Sequence, residues 1–190
     1  YVAFGRFHFD DDLQYKDAIP MLKRLMKLSG ELGLEFGVKI TNTFPVDVKA
    51  KELPSEEMYM SGKSLYPLSI ALAAKLSEDF DGKLRIAYSG GADAFNICKI
   101  VDAGVWPVTV ATTILKPGGY QRLKQMADLI DSMGVKPFEQ VDVSSLKKAA
   151  QEAVTDKHHV KPAKMPVSRK SSKKVPLLDC FTAPCEDACP

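Results

Sequence analysis

Three of the four cysteines of this 190-residue chain lie in its last stretch, Cys180-Phe181-Thr182-Ala183-Pro184-Cys185-Glu186-Asp187-Ala188-Cys189-Pro190. Thiolates clustered at C-x4-C-x3-C-P spacing, in a chain that opens without a secretory leader, point to a bound metal rather than to disulfides. The closing C-x3-C-P step matches bacterial iron–sulfur runs, in which Cys-Pro ends the ligand set. Zinc is the rival, although its sites usually add a second cysteine pair or histidines downstream. A four-ligand cluster finds three ligands here: Cys180, Cys185 and Cys189. Cys98, between Ile97 and Ile100, reads as a small core residue, so the fourth ligand is expected outside the chain. His158 and His159, adjacent in a basic stretch, read as solvent-exposed.

A second group of residues could hold a phosphate. In Ala87-Tyr88-Ser89-Gly90-Gly91-Ala92 a glycine pair separates a β-prone run from a helical one. Glycines let backbone approach a ligand closely, and N–H groups at a helix start attract anions. A plain Gly-Gly turn would give the same string, and the GxGxxG fingerprint is absent. Thr112 and Thr113, after the next strand, place hydroxyls at the corresponding level. Lys39, with Thr41, Asn42 and Thr43, closes an apolar strand, where its ammonium must reach an anion, a ring or solvent. Met60-Ser61-Gly62-Lys63-Ser64 looks like the tail of a Walker A loop but lacks the upstream glycine, so a backbone or hydroxyl contact to a cofactor is expected instead of ATP binding.

These groups need elements to position them. Ile19, Leu22, Leu25, Met26 and Leu32 recur at helical steps over residues 16–33, and residues 34–40 read as a strand. A Pro-, Asp- and Lys-rich loop follows to about Glu56, then a doubtful strand over 57–60. A helix over 65–80 carries Leu65, Leu68, Leu72 and Leu76 on one face. Then come a strand at 84–88, a helix at 92–103, a strand at 105–111, a helix at 120–133 and a shorter helix at 144–154. Alternation of this kind predicts βαβ units and a mostly parallel sheet. Three clear strands are too few for a closed (β/α)8 barrel of eight strands and about 250 residues. With no initiator Met and an abrupt Cys189-Pro190 end, the expectation is a piece of something longer, with unpaired strand edges.

Composition narrows the class. The chain is 45% hydrophobic and 26% charged, as in globular proteins, and no apolar run reaches the roughly 18–20 residues of a membrane span. Seven of the 26 basic residues fall between Lys157 and Lys174 without an acidic one, leaving the rest of the chain acidic. Pro162, Pro166 and three serines interrupt that run and no aromatic residue offers a stacking surface, so it reads as a linker rather than a nucleic-acid footprint.

Taken in order, Phe36-Gly37-Val38-Lys39-Ile40-Thr41, Ser61-Gly62-Lys63-Ser64-Leu65-Tyr66-Pro67, Tyr88-Ser89-Gly90-Gly91 and Val110-Ala111-Thr112-Thr113 resemble the FMN barrels of dihydroorotate and dihydropyrimidine dehydrogenases. Cys180–Pro190 resembles the iron–sulfur segment preceding an FAD/NAD(P)H module in dihydropyrimidine dehydrogenase and glutamate synthase small subunits. A barrel placed before such a segment looks most like bacterial selenate reductase subunits. The resemblance implies a partial (β/α)8 TIM barrel: its C-terminal half over residues 1–143, a helix and basic linker over 144–178, and the start of a 4Fe-4S domain over 179–190. It implies that Lys39 contacts FMN and that Asn42 lies near flavin or substrate. Ser61, Gly62 and Ser89 would line the cofactor; Gly90, Gly91, Thr112 and Thr113 would hold its phosphate. Cys180, Cys185 and Cys189 would ligate the cluster, although Leu177 stands where the family segment has a further cysteine. No residue here matches the family's catalytic base. The implied protein is a cytoplasmic oxidoreductase passing electrons between NAD(P)H and a small substrate. Its missing parts would be an N-terminal half-barrel and a C-terminal FAD/NAD(P)H module, with a molybdoenzyme or other redox subunit as partner. The alternatives are a non-redox phosphate-binding barrel with structural zinc, and a docking scaffold that has lost flavin.

Overall fold

The computed structural model describes residues 9–48 and 56–159. In chain order the elements are α1 (Tyr15–Glu31), β1 (Gly37–Lys39), β2 (Phe44–Asp47), β3 (Glu57–Met60), a 3-10 turn (Gly62–Leu65), α2 (Tyr66–Asp79), β4 (Arg85–Ser89), α3 (Ile97–Asp102), β5 (Val108–Thr109), α4 (Gly119–Met133) and α5 (Val143–Thr155). The sheet is parallel and ordered β1-β4-β5, with Val38 opposite Ile86 and Tyr88 opposite Val108. Each parallel strand leads to a helix: β1 to α2 by way of the β2–β3 hairpin, β4 to α3, and β5 to α4. Three such units form a section of a (β/α)8 barrel, in which the loops at the C-terminal ends of the strands share one rim. Among the described residues the outer edges of β1 and β5 carry no partner strand.

Two sequence expectations change here. Residues 44–47 were expected in a loop, yet they pair antiparallel with 57–60, so the doubtful strand belongs to a hairpin outside the parallel sheet. The stretch 92–96 does not join α3, because its side chains offer the backbone another arrangement. Asp93 accepts from the Phe95 N–H at 2.9 Å and Asn96 from the Asp93 N–H at 2.8 Å, an Asx-type turn that competes with helix.

The core lies between the sheet and α2, α3 and α5, with Ile70, Leu84, Ile86, Tyr88, Ile100 and Leu146 fully buried. Leu68, expected on the buried face of α2, is exposed, whereas Ser69, Ala73 and Ser77 are buried. The reason is α5: the small residues Ala73, Ala74 and Ser77 of α2 lie in the same core as Ala149 and Ala153, and these two helices make the most extensive helix–helix contact of the fold. Small side chains let two helix axes approach closely, and of the expected leucines Leu65 and Leu76 are buried and Leu72 packs against the core. On α1, Leu25 and Leu32 are likewise exposed, while Ile19, Leu22 and Met26 touch the core. Tyr15 anchors α1 to α2, donating to the Asp79 carboxylate at 2.6 Å beneath the Lys75 ammonium.

The start of α5 is fixed at the N-terminal end of the strands. The Val141 N–H donates to the Gly82 carbonyl at 2.8 Å and the Asp142 N–H to the Ala103 carbonyl at 2.9 Å. Asp142 then caps α5, accepting from the Ser144 and Ser145 N–H groups at 3.0 Å each and from the Ser145 hydroxyl at 2.8 Å. The Ser145 bonds, then those of Ser144, hold its carboxyl below the usual aspartate range. Asp142→Ala is therefore expected to lose about 1 kcal/mol near neutral pH, measured by urea unfolding. A lowered folded-state pKa gives stability that is complete above the ordinary carboxylate value and fades as pH falls through the lowered one. The gap between wild type and variant should accordingly narrow as pH falls below the ordinary carboxylate range.

Candidate cofactor site

At the C-terminal rim the loops after β1, β3, β4 and β5 enclose a pocket of about 140 Å³. Asn42 and Thr43 contribute from the first, Ser61 and Gly62 from the second, Ser89 to Ala92 from the third and Thr109 to Thr113 from the fourth. A water molecule's share of liquid is about 30 Å³, so the space suits a group the size of a phosphate. Eight residues singled out from sequence meet here: Asn42, Ser61, Gly62, Ser89, Gly90, Gly91, Thr112 and Thr113. Lys39 does not line the pocket; it is an exposed residue of β1, opposite Ala87. Cys180, Cys185 and Cys189 lie outside the described residues.

The glycine turn is built to have no side chains. Gly90 and Gly91 have φ of +110° and +79°. A Cβ at Gly91 would stand 2.7 Å from the Gly62 carbonyl oxygen and 2.8 Å from the Tyr66 nitrogen, both backbone atoms. A Cβ at Gly90 would strike the Ser69 and Thr41 hydroxyls. Those hydroxyls brace the turn: Ser69 Oγ lies 2.8 Å from Thr41 Oγ1, which donates to the Ser89 carbonyl. Thr41 itself turns the chain at φ +48°, an uncommon conformation for a residue with a Cβ.

Three carbonyls around the turn are occupied, and two of its amides are not. Ser89 O accepts from Thr41, Gly91 O from Asn96 Nδ2 at 2.9 Å, and Ala92 O from Thr113 Oγ1 at 2.8 Å. The register of β4 with β5 places the Gly90 N–H on the Thr109 carbonyl, whereas among the described residues no acceptor meets the N–H groups of Gly91 or Ala92. Successive free amides around a left-handed turn make an anion-binding concavity. No Lys, Arg, Asp or Glu side chain lines the pocket, so an anion there would be held by amides and hydroxyls. The dipole of a helix start, expected from sequence, contributes little, because α3 begins only at Ile97 and has 6 residues.

Behind the turn sit residues that sequence reasoning placed in solvent. His158 Nε2 lies 2.7 Å from Asp93 Oδ2, and its ring lies 4.1 Å from that of Phe95. His159 is buried, 4.3 Å from the Tyr66 ring. Burial is the main cause holding the His159 pKa below the usual histidine value. Burial, and then the carboxylates of Glu152, Asp156 and Asp93, push Tyr66 up to about 12. The expectation of exposure fails because α5 runs from the N-terminal side of the sheet back to its C-terminal rim and delivers residues 156–159 there. Nothing local in the sequence announces a partner 65 positions away. No group of three or more His, Cys, Asp and Glu placed to hold a metal occurs among the described residues, and no helix there is long and apolar enough to cross a membrane.

Comparison with known proteins gives a consistent picture. A family model described as "Oxidoreductase YgfK, N-terminal TIM-barrel domain" matches residues 1–161. Curated proteins named "Putative oxidoreductase YgfK" from Escherichia coli (strain K12) and Escherichia coli O157:H7 are each 44% identical over 189 residues. Those matches cover 100% of this chain and 18% of the relatives, so the chain spans about a fifth of their length. Among solved structures, a ligand-free type DHODH from Eimeria tenella aligns at a TM-score of 0.43 with 20% identity, over 70% of this chain and 36% of that one.

Proposed function

The chain belongs to the family of oxidoreductase YgfK N-terminal TIM-barrel domains, and from that premise we propose that its pocket holds the phosphate end of FMN in a flavin- and iron–sulfur-dependent oxidoreductase. One observation carries the proposal: four rim loops converge on a turn in which the Ser89, Gly91 and Ala92 carbonyls are used internally and the Gly91 and Ala92 amides have no acceptor among the described residues. Gly91 and Ala92 would bind phosphate through their N–H groups and Gly90 by leaving room for it, with Ser61, Ser89 and Thr112 adding polar lining. Thr113 acts one step back, since its hydroxyl is spent on Ala92 O. Asn42 lies at the pocket's β1 side, and Lys39, exposed on that strand, is the cation available to a ring extending beyond it. Bound flavin supplies hydride and electron transfer, while the chain's own residues bind and orient it.

The wider assignment is of the dihydropyrimidine dehydrogenase or selenate reductase type. Electrons would pass between NAD(P)H and a small substrate through FAD and 4Fe-4S clusters, most of them held elsewhere in the polypeptide. Cys180, Cys185 and Cys189 would ligate one cluster, a role resting on their C-x4-C-x3-C-P spacing. Purification of the intact polypeptide without oxygen is expected to yield FMN, iron and acid-labile sulfide, with broad absorption near roughly 400 nm from the cluster. A protein that folds and contains neither flavin nor iron would overturn the proposal. A colourless zinc protein would favour a non-redox phosphate-binding barrel.

A further inference from the structure

The turn that ends α5 reaches the segment after Gly91 and one of the walls that confine it, Tyr66. Asp156 accepts from the His158 N–H at 2.8 Å through Oδ1, and its backbone carbonyl accepts from the His159 N–H at 3.0 Å. The two imidazoles stand nearly perpendicular, at 84° with centroids 4.9 Å apart, and so face different neighbours. His158 meets Asp93, the second residue after Gly91, and its ring tilts over Phe95. His159, with 2% of its side chain exposed, lies against Tyr66, whose backbone nitrogen is among the closest atoms to Gly91. The segment just after Gly91 is thus held by a hydrogen bond and the Tyr66 wall by ring packing, both from consecutive residues.

We propose that His158 and His159 are positioning residues of the anion pocket, a latch through which the chain leaving α5 holds the Gly90–Gly91 turn in its anion-binding form. The inference rests on the pocket's taking a phosphate, as proposed above. The latch lies outside the pocket lining, and it lies on the segment leading to the cysteine run. A ligand that favours the ordered turn favours the docked histidines, and the converse holds by reciprocity.

Hydrogen exchange of a peptide covering residues 93–97, whose Asp93, Phe95, Asn96 and Ile97 N–H groups are hydrogen-bonded, tests the latch in the intact polypeptide without any ligand. His158→Ala should speed exchange there by about tenfold, the worth of a charge-assisted hydrogen bond, while core amides of α2 keep their protection. His158→Gln, which retains a donor near the position of Nε2, should restore most of the protection. His159→Phe, which retains the ring against Tyr66, should leave it near wild type. Unchanged exchange in His158→Ala, or no rescue by His158→Gln, overturns the proposal. Affinities for FMN and for riboflavin, which lacks the phosphate, give the second readout. His158→Ala should weaken FMN about tenfold and leave riboflavin unchanged, and an equal loss for both would mean a merely structural role and overturn the latch. If wild type binds neither flavin, the functional proposal fails by itself and the exchange data alone decide the latch.

Discussion

Gly91→Ala is expected to destabilise the protein by about 2–4 kcal/mol and, on the proposed reading of the pocket, to leave it purified without FMN. Two independent costs add. The left-handed conformation at φ +79° costs a residue with a Cβ about 1–2 kcal/mol. The new methyl would also press on the Gly62 carbonyl oxygen and the Tyr66 nitrogen, 2.7 and 2.8 Å away. Both are backbone atoms of neighbouring rim segments, so relief requires moving the 3-10 turn or the start of α2, and either shift opens the pocket. Gly30→Ala is the control: that glycine lies in α1 with nothing within 4 Å of an added Cβ and no left-handed backbone. It should be neutral or stabilising by up to about 1 kcal/mol, with flavin content unchanged. Denaturant unfolding and flavin-to-protein ratio measure the pair. Equal stability of Gly91→Ala and wild type would contradict the packing described for the turn.

Leu146→Ala carries the largest expected loss from packing alone, about 2–5 kcal/mol. Leu146 is fully buried in the first turn of α5, in the same core as Ile70 and Leu84. Its side chain is the large one on a helix face otherwise made of Ala149 and Ala153. Removing it leaves a cavity that the close α2–α5 contact cannot collapse to fill, since the opposing residues are small. Thermal unfolding should shift down by roughly 5–15 °C. Val154→Ala, at an exposed position of the same helix, should change little.

Much of this architecture is legible in the sequence, for identifiable reasons. The helices α1 and α4 combine apolar spacing with a glycine just beyond each, Gly33 and Gly134, so local signals agree about where they end. Strand β4 is legible because Ile86 and Tyr88 sit in a short β-prone run between two turns. The pocket lining could be named in advance because the order of its motifs resembles that of FMN barrels; the glycine pair alone would fit a plain turn equally well. What escaped has a common cause: the deciding partner is distant in sequence. Pro45 and the charged residues around it argue for a loop, and only pairing with Met58 to Met60 makes 44–47 a strand. Over residues 65–80 the leucine pattern holds at Leu65, Leu72 and Leu76 and fails at Leu68, because it cannot show that burial also falls on Ser69, Ala73 and Ser77. The histidines escape for the same reason, as a basic stretch gives no sign of Asp93 waiting at the rim.

The run of α5 from one side of the sheet to the other makes its residue count matter as much as its composition. Its 13 residues span about 20 Å, pinned below by Asp142 and above by His158 and His159. One alanine inserted between Gln151 and Glu152 would keep the helix intact. It would swing everything beyond by about 100° and lift it about 1.5 Å, pointing both imidazoles away from their seats. The helix is thus a spacer bar, and indels within it should be tolerated far less well than substitutions on its wet side.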